Sequence, residues 1–160
     1  MNKTFDLWRG LQTDAAIRRI ANFYGSTEVT DVIYQIFEEP ILDQLMDQVP
    51  IGLPIWNTAV YIVDDRGDIV PEGEVGELYV ASANVADGYV HLKSAANSSK
   101  IVDEQKTLSA IAECPFSRNP FDTTPILVNM YRMGDLGVMS NGRVALKGRA
   151  DGQVKLNGGH

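Results

Sequence analysis

Three short runs hold the side chains that chemistry on a phosphate-bearing molecule requires. Asn22-Phe23-Tyr24-Gly25-Ser26-Thr27-Glu28 offers a flat aromatic ring, a glycine turn, a hydroxyl and a carboxylate in close succession. A ring can stack on a base, a hydroxyl can lie near phosphate, and a carboxylate can hold Mg2+, which prefers oxygen ligands. An aromatic ahead of a glycine turn also serves simply to plug a core. In Tyr131-Arg132-Met133-Gly134-Asp135-Leu136, a carboxylate follows a glycine at a strand end, where it can accept both hydroxyls of a ribose or merely end the strand. In Gly148-Arg149-Ala150-Asp151-Gly152-Gln153-Val154-Lys155, charged residues alternate with small and apolar ones, a pattern shared with an exposed strand with a solvated face.

The elements that must carry these runs are mostly strands. Asp31 to Phe37 is β-branched and aromatic, and Thr58 to Val63 has the same character. Asp64 to Asp68 turns the chain so that Ile69-Val70 pairs back, and Pro71 to Glu74 turns it again before a strand at Val75 to Ala81. Further strands are predicted at Ile126 to Arg132 and at Gln153 to Leu156. Val138-Met139 and Val144 to Lys147 form the arms of a hairpin around Ser140-Asn141-Gly142. This rhythm predicts an antiparallel β-meander, part of a distorted barrel or sandwich. Helices are few and short: one over Thr13 to Ile20, opened by Asp14, and one near Thr107 to Glu113. Phe23 and Tyr24 lead from the first helix into a polar turn at Gly25 to Glu28. Pro50-Ile51-Gly52-Leu53-Pro54 reads as punctuation, and the Ser-, Asn-, Asp- and Pro-rich stretch from Lys93 to Thr124 as an irregular surface insertion. The last run stops at Gly158-Gly159-His160 with no closing element, which predicts a chain cut from a longer one.

Composition narrows the classes. A chain of 160 residues suits one compact domain. Its net charge of −7 argues against a nucleic-acid partner, which needs a basic footprint. Cys114 is the single cysteine, so neither an internal disulfide nor a cysteine zinc cluster can form. With His91 and His160 the only histidines, chemistry built on a histidine pair is disfavoured. No apolar run approaches the ~20 residues of a membrane helix, and Met1 to Gly10 lacks the apolar centre of a signal peptide. The expectation is a cytoplasmic protein without a membrane partner.

Taken together and in order, the three runs resemble the core motifs of the acyl-adenylate-forming superfamily: the adenylation domains of nonribosomal peptide synthetases, the acyl-CoA synthetases and the luciferases. Gly76-Glu77-Leu78-Tyr79-Val80, Val85-Ala86-Asp87-Gly88-Tyr89, Ile51-Gly52-Leu53-Pro54 and Asn57-Thr58 also fit. The resemblance runs from Asn22 to Lys155 outside the insertion. Within the superfamily, Asn22 to Val32 and Val49 to Gly52 are similar to the amino-acid-activating branch that joins β-alanine to biogenic amines. The implied fold is α/β: the C-terminal portion of the adenylation large domain over residues 1–151, dominated by the antiparallel β-subdomain, with the start of a small C-terminal domain at 152–160.

The resemblance also assigns roles. Nucleotide contacts fall to Asn22, Tyr24, Gly25, Ser26, Thr27, Asp135 and Arg149: Tyr24 stacks on adenine beside Asn22, Thr27 meets phosphate, Asp135 holds the ribose hydroxyls and Arg149 lies near ribose and phosphate. Glu28 holds Mg2+. Phe23, Asp31 and Val32 line the acid pocket, and Asp151 is the hinge of the small domain. Gly76, Glu77, Gly88 and Tyr89 are expected to be structural. Met133, Ser82 and Asn157 depart from the usual threonine, glycine and arginine. The family's phosphate-loop lysine is expected upstream of Met1 and its catalytic lysine beyond His160, so no catalytic residue is expected in this portion, which alone would be inactive. The implied reaction is ATP-dependent formation of an acyl-AMP from a small carboxylic or amino acid, then transfer to the phosphopantetheine thiol of a carrier-protein domain. The alternatives are an acyl-CoA synthetase of the same superfamily and a non-catalytic truncated interaction protein.

Overall fold

Strands make up most of the computed structural model, which describes residues 19–38, 50–94, 97–116 and 129–150. Among the described residues, ten strands and one short helix follow in order: β1 (Arg19–Ser26), β2 (Thr30–Glu38), β3 (Pro50–Pro54), β4 (Thr58–Val63), β5 (Val75–Ser82), β6 (Val90–Ser94), β7 (Asn97–Val102), α1 (Glu104–Ala110), β8 (Ile111–Glu113), β9 (Asn129–Ser140) and β10 (Arg143–Arg149). The main sheet runs β1-β2-β3-β10-β9-β5-β4, and β8 pairs with β9. Every pairing is antiparallel. β6 and β7 form a separate hairpin.

Strand β9 is the spine. At Met130 and Tyr131 it pairs with β5 on one side and β8 on the other. From Asp135 to Ser140 its β8 side is taken over by β10, through the turn at Asn141-Gly142. Its burial alternates, placing Tyr131, Met133, Asp135 and Gly137 on the inward face, as a period of two requires. The core joins that face to Val29, Val32 and Ile33 of the first hairpin, and to Ile51, Ile62, Leu78, Val80 and Val144. On the outward face of β9, Arg132 makes a bidentate pair with Glu77 of β5, both bonds at 2.7 Å.

The meander over β4 and β5, the β2 strand and the β9–β10 hairpin fall where the sequence predicts them, and Val63 bridges Ile69 as expected. Five readings are corrected. Asp135, expected at a strand end, lies inside a strand, because β9 runs without a break from Asn129 to Ser140 and so joins the two strands predicted there. Arg19 and Ile20 open a strand rather than close a helix, and that strand runs on through Phe23 and Tyr24 to Ser26; residues 13–18 lie outside the described residues. The Pro50–Pro54 punctuation is a strand, tolerated because its prolines sit at the ends, where no ladder is broken. It pairs with β2 on one side and β10 on the other, and so ties the first hairpin to the rest of the sheet. The stretch from Lys93 contains a hairpin, a helix and a strand, with Ile111 and Cys114 buried. The helix there starts at Glu104, capped by the Asp103 carboxylate accepting from the Lys106 amide at 3.0 Å, and residues 111–113 are strand. The start of the Ile126–Arg132 strand, the Gln153–Leu156 strand and the hinge position Asp151 lie outside the described residues. Among those described, no helix is long and apolar enough to cross a membrane.

Candidate functional site

Asp135 is a carboxylate on the inward face of β9, and its residue surface is only 6% exposed. A buried charge needs partners, and both of its oxygens have one. The Tyr24 hydroxyl of β1 donates to Oδ2. The Arg149 guanidinium at the end of β10 meets Oδ1 at 3.2 Å, and the same Nη1 donates to the Met133 carbonyl at 3.2 Å. Arg149 reaches this point because residue 134 is glycine: a Cβ there would lie 3.0 Å from the guanidinium, and the backbone φ of +71° suits glycine. The Ala150 amide then closes onto the Gly134 carbonyl at 2.9 Å. Burial, together with the Asp135 carboxylate, pushes the Tyr24 phenol far above the usual tyrosine range, with Arg149 opposing.

Glu28 forms a second centre at the turn between β1 and β2. The Tyr89 hydroxyl donates to its Oε1 at 2.7 Å, and its backbone carbonyl accepts from the Ala86 amide at 2.8 Å. Partial burial alone would raise its pKa. The Tyr89 bond, the neighbouring Ser26, its own amide and Tyr131 outweigh that and hold the carboxyl below its ordinary 4.5. The Ser26 hydroxyl is buried close to this carboxylate, yet it meets no partner at hydrogen-bonding geometry. Tyr131 lies on the inward face of β9 two positions before Met133 and four before Asp135, near Glu28, whose carboxyl it helps to hold below its ordinary value. The turn is shaped by Gly25, where a Cβ would fall 1.7 Å from the Thr30 carbonyl oxygen, and by the bulge between Tyr24 and Gly25.

The three runs singled out in the sequence therefore converge. Tyr24, Ser26, Glu28, Asp135 and Arg149 come together, with half-buried Asn22 alternating with Tyr24 on β1. Thr27 is exposed on the turn. The acid-pocket positions divide: Asp31 is exposed, Phe23 is 59% exposed and stacks on Tyr34 with centroids 6.5 Å apart, and Val32 is fully buried in the core. Two residues of the site carried no functional role in the sequence reading. Tyr131 could have been found by counting back in twos from Asp135 along β9. Nothing local marks Tyr89, expected only to be structural, as a partner of Glu28. Among the described residues no group of three or more His, Cys, Asp or Glu could hold a metal alone. One fixed carboxylate beside a hydroxyl fits instead a Mg2+ held mainly by substrate phosphates.

Comparisons with known proteins bear on the family and the fold. The family model described as AMP-binding enzyme matches residues 5–90. The chain is 37% identical over 146 residues to the β-alanyl-bioamine nonribosomal peptide synthetase ebony of Drosophila melanogaster, covering 91% of this chain and 15% of that protein. It is 38% identical over 146 residues to chondramide synthase cmdD of Chondromyces crocatus, covering 88% of this chain and 3% of that protein. Among solved structures, holo-PA1221, a nonribosomal peptide synthetase protein containing adenylation and PCP domains bound to a vinylsulfonamide inhibitor, superposes with a TM-score of 0.70. Its identity is 29%, over 94% of this chain and 23% of its own. CmiS6 superposes with a TM-score of 0.71 at 26% identity, over 94% of this chain and 32% of its own. This chain thus spans 15% or less of those two curated relatives and less than a third of those two structures.

Proposed function

This chain belongs to the AMP-binding enzyme family, and on that premise we propose that it forms the nucleotide-facing part of an adenylation domain, which joins a small amino acid to AMP ahead of transfer to a carrier thiol. The observation that carries the reading is the meeting of Tyr24, Asp135 and Arg149, from three separate strands, beside the held carboxylate of Glu28.

Each residue has work in that reaction. The Asp135 carboxylate, already oriented by Tyr24 and Arg149, accepts the ribose hydroxyls. Asn22 and the Tyr24 ring border the adenine. Arg149 brings a positive charge to the ribose and phosphate side, where negative charge must be offset as the acid's carboxylate attacks the α-phosphorus and pyrophosphate leaves. Thr27 presents its hydroxyl to phosphate from the exposed turn. Glu28 and Ser26 would hold Mg2+, which supplies further positive charge against the phosphates when bound. Phe23 and Asp31 face the acid; Asp31 pairs with a substrate ammonium, and the ebony relative favours β-alanine as that substrate. The carrier thiol is that of a phosphopantetheine, by likeness to the synthetase relatives and to PA1221.

The test replaces the matching residues of the Drosophila relative's adenylation domain with residues 19–150 and measures ATP–pyrophosphate exchange. β-Alanine-dependent exchange is expected. Asp135→Ala should weaken apparent ATP affinity about ten- to a hundredfold, from roughly 1.5–3 kcal/mol for a hydrogen bond to a charged group. Asp31→Ala should depress β-alanine use far more than propionate use. Exchange with unaltered ATP dependence in Asp135→Ala would sink the assignment. The 160-residue chain alone is expected to show no exchange with any amino acid.

A further inference from the structure

Tyr89 is held at three points before its hydroxyl reaches Glu28. Its amide donates to the Thr107 hydroxyl of α1 at 2.9 Å, and its carbonyl accepts from the Asp103 amide at the N-cap of α1 at 2.8 Å. The Lys106 ammonium, from the first turns of the same helix, sits 4.0 Å from the centre of its ring, a cation–π contact. The two backbone bonds fix where the side chain leaves the main chain, and the ring contact with Lys106 restricts its rotation. Its hydroxyl lies 2.7 Å from Glu28 Oε1. The same segment pins the Glu28 backbone through the Ala86 amide. A glutamate at the tip of a turn otherwise has three freely rotating bonds. Here both its main chain and its head group are tied to the Val85–Tyr89 segment, and that segment is tied to α1.

We propose that Tyr89, steered by α1, is a positioning residue that fixes the Glu28 carboxylate in a single orientation for a nucleotide-bound divalent cation. The inference rests on the reading of Glu28 as the cation's ligand and extends it to residues with no assigned role: Tyr89, and behind it Lys106, Thr107 and Asp103. Asp103 and α1 then support the site. Carboxylates that ligate metals are themselves oriented by hydrogen bonds, and removal of such partners costs roughly 10–100-fold in metal affinity or activity.

The experiment uses the 160-residue chain. NMR relaxation reports the side-chain order of Glu28, with exposed Glu74 as the internal reference, and electron paramagnetic resonance reports Mn2+ binding in the presence of ATP. Glu28 is expected to be well ordered in the unaltered chain and to fall to the order of Glu74 in Tyr89→Phe, while the amide spectra of β5 and β9 stay unchanged. Mn2+–ATP affinity should fall about 10- to 100-fold in the same variant. Glu28 as mobile as Glu74 in the unaltered chain overturns the proposal without any variant; so does unchanged Glu28 order in Tyr89→Phe. Mn2+ affinity that Glu28→Gln lowers and Tyr89→Phe does not would overturn the positioning role alone. Mn2+ affinity indifferent to Glu28→Gln overturns the reading of Glu28 on which the proposal stands.

Discussion

Replacing Asp135 by alanine should cost this fold more than any other single charge removal among the described residues, where it is the buried charge. The carboxylate is buried and accepts from Tyr24 while pairing with Arg149. Two charge-assisted contacts would contribute roughly 1.5–3 kcal/mol each. The Arg149 side chain is 25% exposed and keeps its bond to the Met133 carbonyl, so part of the loss is recovered by water. The expected net loss is about 2–4 kcal/mol, below the ~3–5 kcal/mol for breaking a fully buried pair. With a urea m-value of about 2 kcal/mol/M, the unfolding midpoint should drop by about 1–2 M. The Glu77–Arg132 pair is the internal control. It has shorter bonds, 2.7 Å, but the arginine side chain is 51% exposed, so Arg132→Ala should cost only about 0.2–1 kcal/mol. A double-mutant cycle with Tyr24→Phe should give a coupling of about 0.5–3 kcal/mol with Asp135→Ala. A midpoint for Asp135→Ala equal to that of Arg132→Ala, or strict additivity with Tyr24→Phe, would refute the claim that Tyr24 and Arg149 together hold the Asp135 carboxylate in the folded chain.

Two further outcomes follow from local geometry. Gly25→Ala forces a Cβ to within 1.7 Å of the Thr30 backbone oxygen, so the first hairpin must open; a loss above about 4 kcal/mol is expected, and wild-type stability in urea would refute this close approach of the two strands. Five of the six tyrosines (Tyr24, Tyr61, Tyr79, Tyr89 and Tyr131) have phenols pushed above the usual value of 10, burial being the leading cause in each. The folded state favours the neutral phenol. That contribution to stability is therefore complete below pH 10 and is lost as pH rises through the folded values, Tyr61's being about 12. Phenolate absorbance of the folded chain should lag behind that of the chain in denaturant; coincident titrations would contradict the burial described.

Local pattern was enough where it was strong. Thr58 to Val63 and Val75 to Ala81 alternate or carry β-branched residues between clear turns, and Asn141-Gly142 marks its hairpin. Those signals depend on neighbours a few residues apart, and the structure keeps them. They were absent from β1, whose Arg19, Asn22 and Ser26 dilute any apolar alternation. They were misleading in β3, whose two prolines announce a break while β2 and β10 supply the pairing that makes it a strand. They were missing from the region around α1, whose polar composition hides its packing on Tyr89.

The site divides the same way. Read along the chain, the residues already name the chemical groups available and their order: the ring, hydroxyl and carboxylate of Tyr24 to Glu28, the carboxylate of Asp135 and the cation of Arg149. That Tyr24 meets Asp135 across 111 residues, that Tyr89 meets Glu28 across 61, and that Val32 turns into the core comes from the packing of the folded sheet. Periodicity sets which face of its own strand a side chain occupies. Which distant strand lies opposite, and in what register, is set by packing the whole apolar face of the sheet at once, and no local stretch of chain contains that information.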